Sequence, residues 1–202
     1  MNVPNLPNLP VGIRSRTLSN INGLSMHVLE AGFEQSVTGS AKGRILLLHG
    51  FPELAYSWRK VMLPLAQAGY HVIAPDQRGY GQTTGWDGRY DGDVASFRLL
   101  NLVQDALALV YAMGWRSVSA VVGHDYGSSV AAWCALVRPD VFKSVVMMSA
   151  PFAGAPALAF DTAHTEASNA APSTSPSAWS GNRLHEDLAA LARPRKIGRA
   201  HV

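Results

Sequence analysis

The chain has 202 residues, 48% hydrophobic and 15% charged, a composition that fits a globular protein with a buried core and a single domain. Its formal charge of +3 and isoelectric point near 9.2 arise in one place, because Arg193, Arg195, Lys196 and Arg199 stand in the last ten residues with no acid among them. Taking those four from the 17 basic residues leaves 13 against 14 acidic ones, a net of −1, so nucleic-acid binding is not expected.

The N-terminal stretch MNVPNLPNLPVGIRS has three prolines and no apolar core; residues 1–15 read as an extension, not a secretion signal. Thr17 to Glu30 holds two short segments around Asn22-Gly23, the strongest two-residue hairpin signal. Arg44 to His49 is a continuous apolar run closed by glycine, as in a strand buried on both faces of a parallel sheet. From Ser57 to Ala68, Trp58, Val61, Met62 and Leu65 recur at helical spacing before Gly69.

The alternation then repeats. His71 to Ala74 reads as a strand ending at Pro75-Asp76, and Phe97 to Met113 as a helix with Leu100, Val103, Leu107 and Val110 on one side. Ser117 to Val122 reads as a third buried strand, Ser128 to Val137 as a helix apolar nearly all round, and Ser144 to Ser149 as a fourth strand. Strands alternating with helices predict an α/β protein with a mostly parallel, doubly wound sheet. Cys134, the one cysteine, reads as a buried thiol. No residues fall at metal-ligand spacing, so no metal or cofactor is predicted.

The longest apolar passage, Val145 to Phe160, is broken by Ser149, Pro151, Gly154 and Pro156, so it does not read as a membrane span. A soluble, cytoplasmic protein is expected. After Pro151 the texture changes: residues 153–202 begin with a stretch rich in Ala, Ser, Thr and Pro, predicted to be low in complexity and disordered, with a short helix over Arg183 to Ala192.

One stretch carries the chemistry. VVGHDYGSS, Val121 to Ser129, runs from a strand through glycine, a central Asp125 and a second glycine into a helix. This is a nucleophile elbow, whose turn is so tight that Gly123 and Gly127 must be nearly without side chains. The central residue is Asp, not Ser, which changes the reaction class. A carboxylate is already ionised at pH 7, needs no base to deprotonate it, and can displace a leaving group from an sp³ carbon to give an alkyl ester. Epoxide opening and carbon–halogen cleavage fit; ester hydrolysis by the serine route does not.

His49-Gly50-Phe51-Pro52-Glu53 follows the first parallel strand, so the backbone N–H groups of Phe51 and Tyr126 are placed to converge on one oxygen, as an oxyanion hole. Pro75-Asp76-Gln77-Arg78-Gly79-Tyr80-Gly81 reads as a loop fastened by its Asp and Arg. His124, adjacent to Asp125 on an extended strand end, points the opposite way and is badly placed as its base. His49 reads as an anchor for its own loop, and His27 and His71 as core or surface histidines.

HGFPELAYSWR, APDQRGYGQT, GHDYGSSVA and VVMMSAP together resemble the epoxide hydrolase branch of the α/β-hydrolase superfamily, from about Arg16 to Pro151. The resemblance implies an α/β-hydrolase fold in which Asp125 attacks a small apolar epoxide and Phe51 and Tyr126 supply the oxyanion-hole amides. In that family two lid tyrosines bind the epoxide oxygen, and a histidine paired with an acid activates water. Haloalkane dehalogenases are the alternative, but they typically carry Asn after the His-Gly and Trp after the nucleophile, where this chain has Phe51 and Tyr126. The fluoroacetate type usually has Arg there.

The family's lid, two further strands, acid and final histidine are not evident. His164, His185 and His201, and Asp161, Glu166, Glu186 and Asp187, have no family context, so no general base or acid is nominated. The expectation is a partial core over residues 16–152 that cannot turn over, or alternatively a noncatalytic module of the same fold; oligomeric state is left open. IGRAHV, residues 197–202, resembles one reading frame of a common sequencing-library adapter, so the hypothesis is that the end of the sequence is adapter-derived. Resequencing the locus is expected to show a different codon series there; a genomic copy encoding IGRAHV and a stop would contradict this.

Overall fold

The computed structural model describes residues 9–149; the segment 153–202, including the predicted helix and the basic end, lies outside them. Strands β1 (Ile13–Ile21) and β2 (Leu24–Ala31) form the predicted hairpin. Asn22 and Gly23 both have positive φ, 51° and 82°, the turn that an Asn-Gly pair favours. Strand β1 thus begins inside the stretch read as an N-terminal extension. A short helix α1 (Phe33–Val37) leads to β3 (Gly43–Leu48), then α2 (Arg59–Gln67), β4 (Tyr70–Pro75), α3 (Leu99–Ala112), β5 (Ala120–His124), α4 (Tyr126–Val137) and β6 (Val145–Met148).

The six strands form one sheet in the order β1-β2-β4-β3-β5-β6. The hairpin joins β4 antiparallel, and β4, β3, β5 and β6 run parallel, so the expected mostly parallel sheet is present. Alternation along each strand divides the core in two. Leu46, Leu48, Ile73 and Val121 face α3 and α4 with Leu102, Leu109, Val130 and Cys134, while Ile45, Leu47, Val72 and Ala74 face α2 with Trp58, Met62 and Ala66. Helices cover both faces, which is the doubly wound arrangement. Burial pushes the Cys134 thiol pKa up, leaving it an inert core residue. No helix among the described residues is long and apolar enough to cross a membrane.

Several boundaries and faces differ from the sequence reading. The third parallel strand is Ala120–His124, not Ser117–Val122, because its pairing with β3 starts at Ile45↔Ala120 and continues to Leu48↔Gly123. Helix α4 starts at Tyr126, directly after Asp125. A 3₁₀ turn (Val94–Phe97) precedes α3, which begins at Leu99. Val61 (43% exposed) and Leu100 (54%) lie outside the core. On α3 the buried face instead includes Asp105, drawn inward by Arg78 at 2.7 and 2.8 Å and by Asn22 at 2.7 Å. Strand β6 is only partly buried, with Val146 and Met148 exposed.

Two buried histidines have carboxylate partners that the sequence pattern did not reveal. His71 donates through Nε2 to Glu30 Oε1 at 2.6 Å, and His27 donates through Nδ1 to Asp76 Oδ2 at 2.8 Å. Burial alone would raise the Glu30 pKa. Hydrogen bonds from His71 and Arg14 and the charge of Arg16 outweigh it and bring the group from 4.5 down to about 2. A depressed carboxylate stabilises the fold fully above its unfolded pKa and loses that contribution as pH falls through the folded value. Thermal melts are therefore expected to lose roughly 3 kcal/mol of Glu30-dependent stability between about pH 4.5 and pH 2, and Glu30→Gln is expected to flatten that part of the profile.

Candidate active site

Three loops meet at the carboxyl ends of β4, β3 and β5, neighbours in the sheet, where parallel α/β sheets place their sites. After β5 the chain turns at Asp125 with φ 51° and ψ −122°, a conformation that costs a non-glycine residue about 1–3 kcal/mol. The turn closes only because side chains are absent beside it. A Cβ on Gly123 would strike the Gly127 carbonyl, and one on Gly127 would strike the carbonyls of Leu48 and His49. A Cβ on Gly50 would come within 2.5 Å of the Asp125 Cβ and 2.8 Å of its Oδ1. The two predicted elbow glycines thus have a third partner across the site.

Phe51 donates its backbone N–H to Asp125 Oδ1 at 2.9 Å, and the backbone N–H of Tyr126 adds to the field that favours the ionised carboxylate. The two amides hold the Asp125 carboxyl below the usual carboxylate range, against a small opposing effect of burial and with help from His124. Phe51 and Tyr126, named from sequence as converging amides, therefore converge on Asp125 itself. The Phe51-Pro52 peptide bond is cis. Phe51, Tyr80, Asp125, Tyr126 and Ser129 line a pocket of about 490 Å³.

The histidines are committed elsewhere. His49 is buried, accepts the Gln77 N–H at Nε2 (3.0 Å) and contacts the Gly50 carbonyl through Nδ1 (2.9 Å). Burial lowers its pKa, against smaller opposing effects from Gly50, Asp76 and Glu53, so it anchors the loop as a neutral ring. His124 pairs with Glu53 Oε2 at 3.3 Å. Asp76 and Arg78 fasten their loop: Asp76 accepts from Ala55 N, Gln82 N and His27, and Arg78 grips Asp105. His164, His185, His201 and the acids 161, 166, 186 and 187 lie outside the described residues.

Three contributors were missed in the sequence. Tyr80 and Ser129 line the pocket; the spacing of four between Asp125 and Ser129 at a helix start was the available signal for the second. Buried Ser128 gave no signal. Its hydroxyl lies 2.7 Å from the Gly123 carbonyl and 2.8 Å from that of Met148, and it accepts the Met148 N–H at 2.9 Å.

A model of the alpha/beta hydrolase fold family matches residues 43–186, and the chain belongs to that family. Among its relatives, an epoxide hydrolase of Caballeronia sordidicola is 40% identical over 131 residues, 65% of this chain and 36% of that protein. Epoxide hydrolase 3 of Siraitia grosvenorii is 41% identical over 133 residues, covering 66% and 38%. Among solved structures, a laboratory-evolved variant of potato epoxide hydrolase superposes with a TM-score of 0.60 at 41% identity, over 69% of this chain and 40% of the other. An epoxide hydrolase from Vigna radiata gives 0.59 at 39% identity, over 70% and 41%. The chain spans under half the length of these relatives.

Ser128→Ala would leave the Met148 N–H without its buried acceptor. A loss of about 1–3 kcal/mol is expected in urea unfolding; an unchanged midpoint would show that the hydroxyl does not tie α4 to β6.

Proposed function

We propose that this chain carries the site of an epoxide hydrolase-type hydrolase, with Asp125 as nucleophile and the Phe51 and Tyr126 amides as its oxyanion hole. The observation that carries the reading is the carboxylate at the apex of a strained elbow, hydrogen-bonded to the Phe51 amide, stabilised in its ionised form by that of Tyr126, and lining the pocket. The relatives named as epoxide hydrolases support it.

One oxygen of Asp125 attacks a ring carbon. The carbon–oxygen bond of the ring breaks, its electron pair stays on oxygen, and that oxygen takes up a proton, leaving a 2-hydroxyalkyl ester of Asp125. Water adds to the ester carbonyl in the second step, and the charge that develops on the carbonyl oxygen falls where the two amides already point. Collapse of that adduct restores the carboxylate and releases a diol. The first step needs no base, because hydrogen bonds keep Asp125 ionised. Among the described residues no histidine lines the pocket, so the residue that activates water is not assigned. The substrate is a small epoxide whose carbon skeleton packs on the rings of Phe51, Tyr80 and Tyr126. A cytoplasmic location, and a division into a core over 16–152 and a separate segment over 153–202, belong to the same proposal.

Incubation with a reactive epoxide is expected to consume the epoxide or to add its mass to the protein, and Asp125→Asn is expected to abolish both. The rate should stay flat as pH falls from 7 until it passes below the ordinary carboxylate range, because the depressed pKa keeps the nucleophile ionised. Equal reaction of wild type and Asp125→Asn would contradict the assignment.

A further inference from the structure

The pocket around Asp125 is not lined by apolar groups alone. Ser129 lies four residues beyond Asp125, in the first turn of α4, where helical side chains lean back toward the N-terminus, and it lines the same pocket as the carboxylate. Tyr80 forms another part of the wall. Gly79 and Gly81, with φ of 87° and 54°, turn the chain sharply on either side of it. Its ring stands edge-on to that of His49, 4.9 Å between centroids at 78°, and His49 is itself fixed by Gln77. The Tyr80 ring is thus packed against an anchored neighbour.

Neither hydroxyl makes a hydrogen bond among the described residues, whereas neighbouring Ser128 uses its own three times. Tyr126 brings a third hydroxyl to the same lining, and hydroxyls in an open pocket wall are hydrated. A purely hydrocarbon substituent covering them would strip that water without replacing it. A substituent with its own hydroxyl would replace the water.

Resting on the reading of Asp125 as the nucleophile, we propose that Ser129 and Tyr80 are specificity-determining residues that favour epoxides bearing a hydroxyl on the carbon next to the ring. The aromatic rings of Phe51 and Tyr126 take the carbon skeleton, and the two hydroxyls read the polar substituent. This narrows the small apolar epoxide suggested by the sequence to one that is polar at a single position.

Glycidol and 1,2-epoxybutane test this, because they differ only by a hydroxyl in place of a methyl group. The rate of epoxide loss plus protein adduct formation is measured for each with the full chain, and normalised to the reaction of the same epoxide with free acetate. Wild type is expected to favour glycidol by about tenfold, the ratio one net hydrogen bond supplies. Ser129→Ala and Tyr80→Phe are each expected to lower the ratio severalfold, and Ser129→Thr, which keeps the hydroxyl, to retain it. A wild-type ratio near one, or a ratio unchanged in both hydroxyl-deleting variants, overturns the preference while leaving Asp125 as the nucleophile. Absence of any Asp125-dependent reaction with either epoxide overturns the reading beneath it, and the preference with it.

Discussion

The site depends on how closely three stretches of backbone approach one another. Strand β5, the start of α4 and the turn after β3 come together at Gly123, Gly127 and Gly50, each at a contact that leaves no room for a Cβ. That crowding forces Asp125 into a left-handed backbone conformation and brings its carboxylate onto the Phe51 amide. The strain is offset nearby: Asp125 donates its N–H to the Met148 carbonyl at 2.9 Å, and Ser128 bridges the same strand end. A larger residue at any of the three glycines would displace the Asp125 carboxylate from this position.

The surrounding loops are held by charges and rings already satisfied among themselves. Asp76 ties its loop to Ala55, Gln82 and His27, and Arg78 ties the following residues to Asp105 and to the Asn22 carbonyl of the hairpin turn. His49 holds the loops after β3 and β4 together through Gln77. These groups are buried and paired, which suits supports better than reactants. Asp125 is the exception, a carboxylate hydrogen-bonded to the Phe51 backbone amide that opens onto the pocket.

Much of this was legible in the sequence because it rests on local rules. The Asn-Gly turn, the apolar run of β3, and the glycines flanking Asp125 each follow from backbone constraints a few residues long, and the two converging amides follow from the elbow. What was not legible depends on distant partners. Leu100 reads as core until Arg78 and Asn22 draw Asp105 inward and rotate the buried face of α3 away from it. The His71–Glu30 and His27–Asp76 pairs join residues 41 and 49 positions apart, which no local spacing encodes. Val61 belongs to an apolar stripe wider than the surface α2 can cover. Tyr80 and Ser129 join the pocket only once the β4 loop and α4 are folded against β3.

The central claim is that the elbow carboxylate is the group that bonds to carbon while two amides hold its other oxygen. Crystals exposed briefly to a reactive epoxide test both halves at once. Continuous electron density is expected from one Asp125 carboxylate oxygen to a substrate carbon, with the second oxygen within hydrogen-bond distance of the Phe51 and Tyr126 nitrogens. Density joined to another side chain, or an unmodified Asp125 under conditions in which the protein consumes the epoxide, would contradict it.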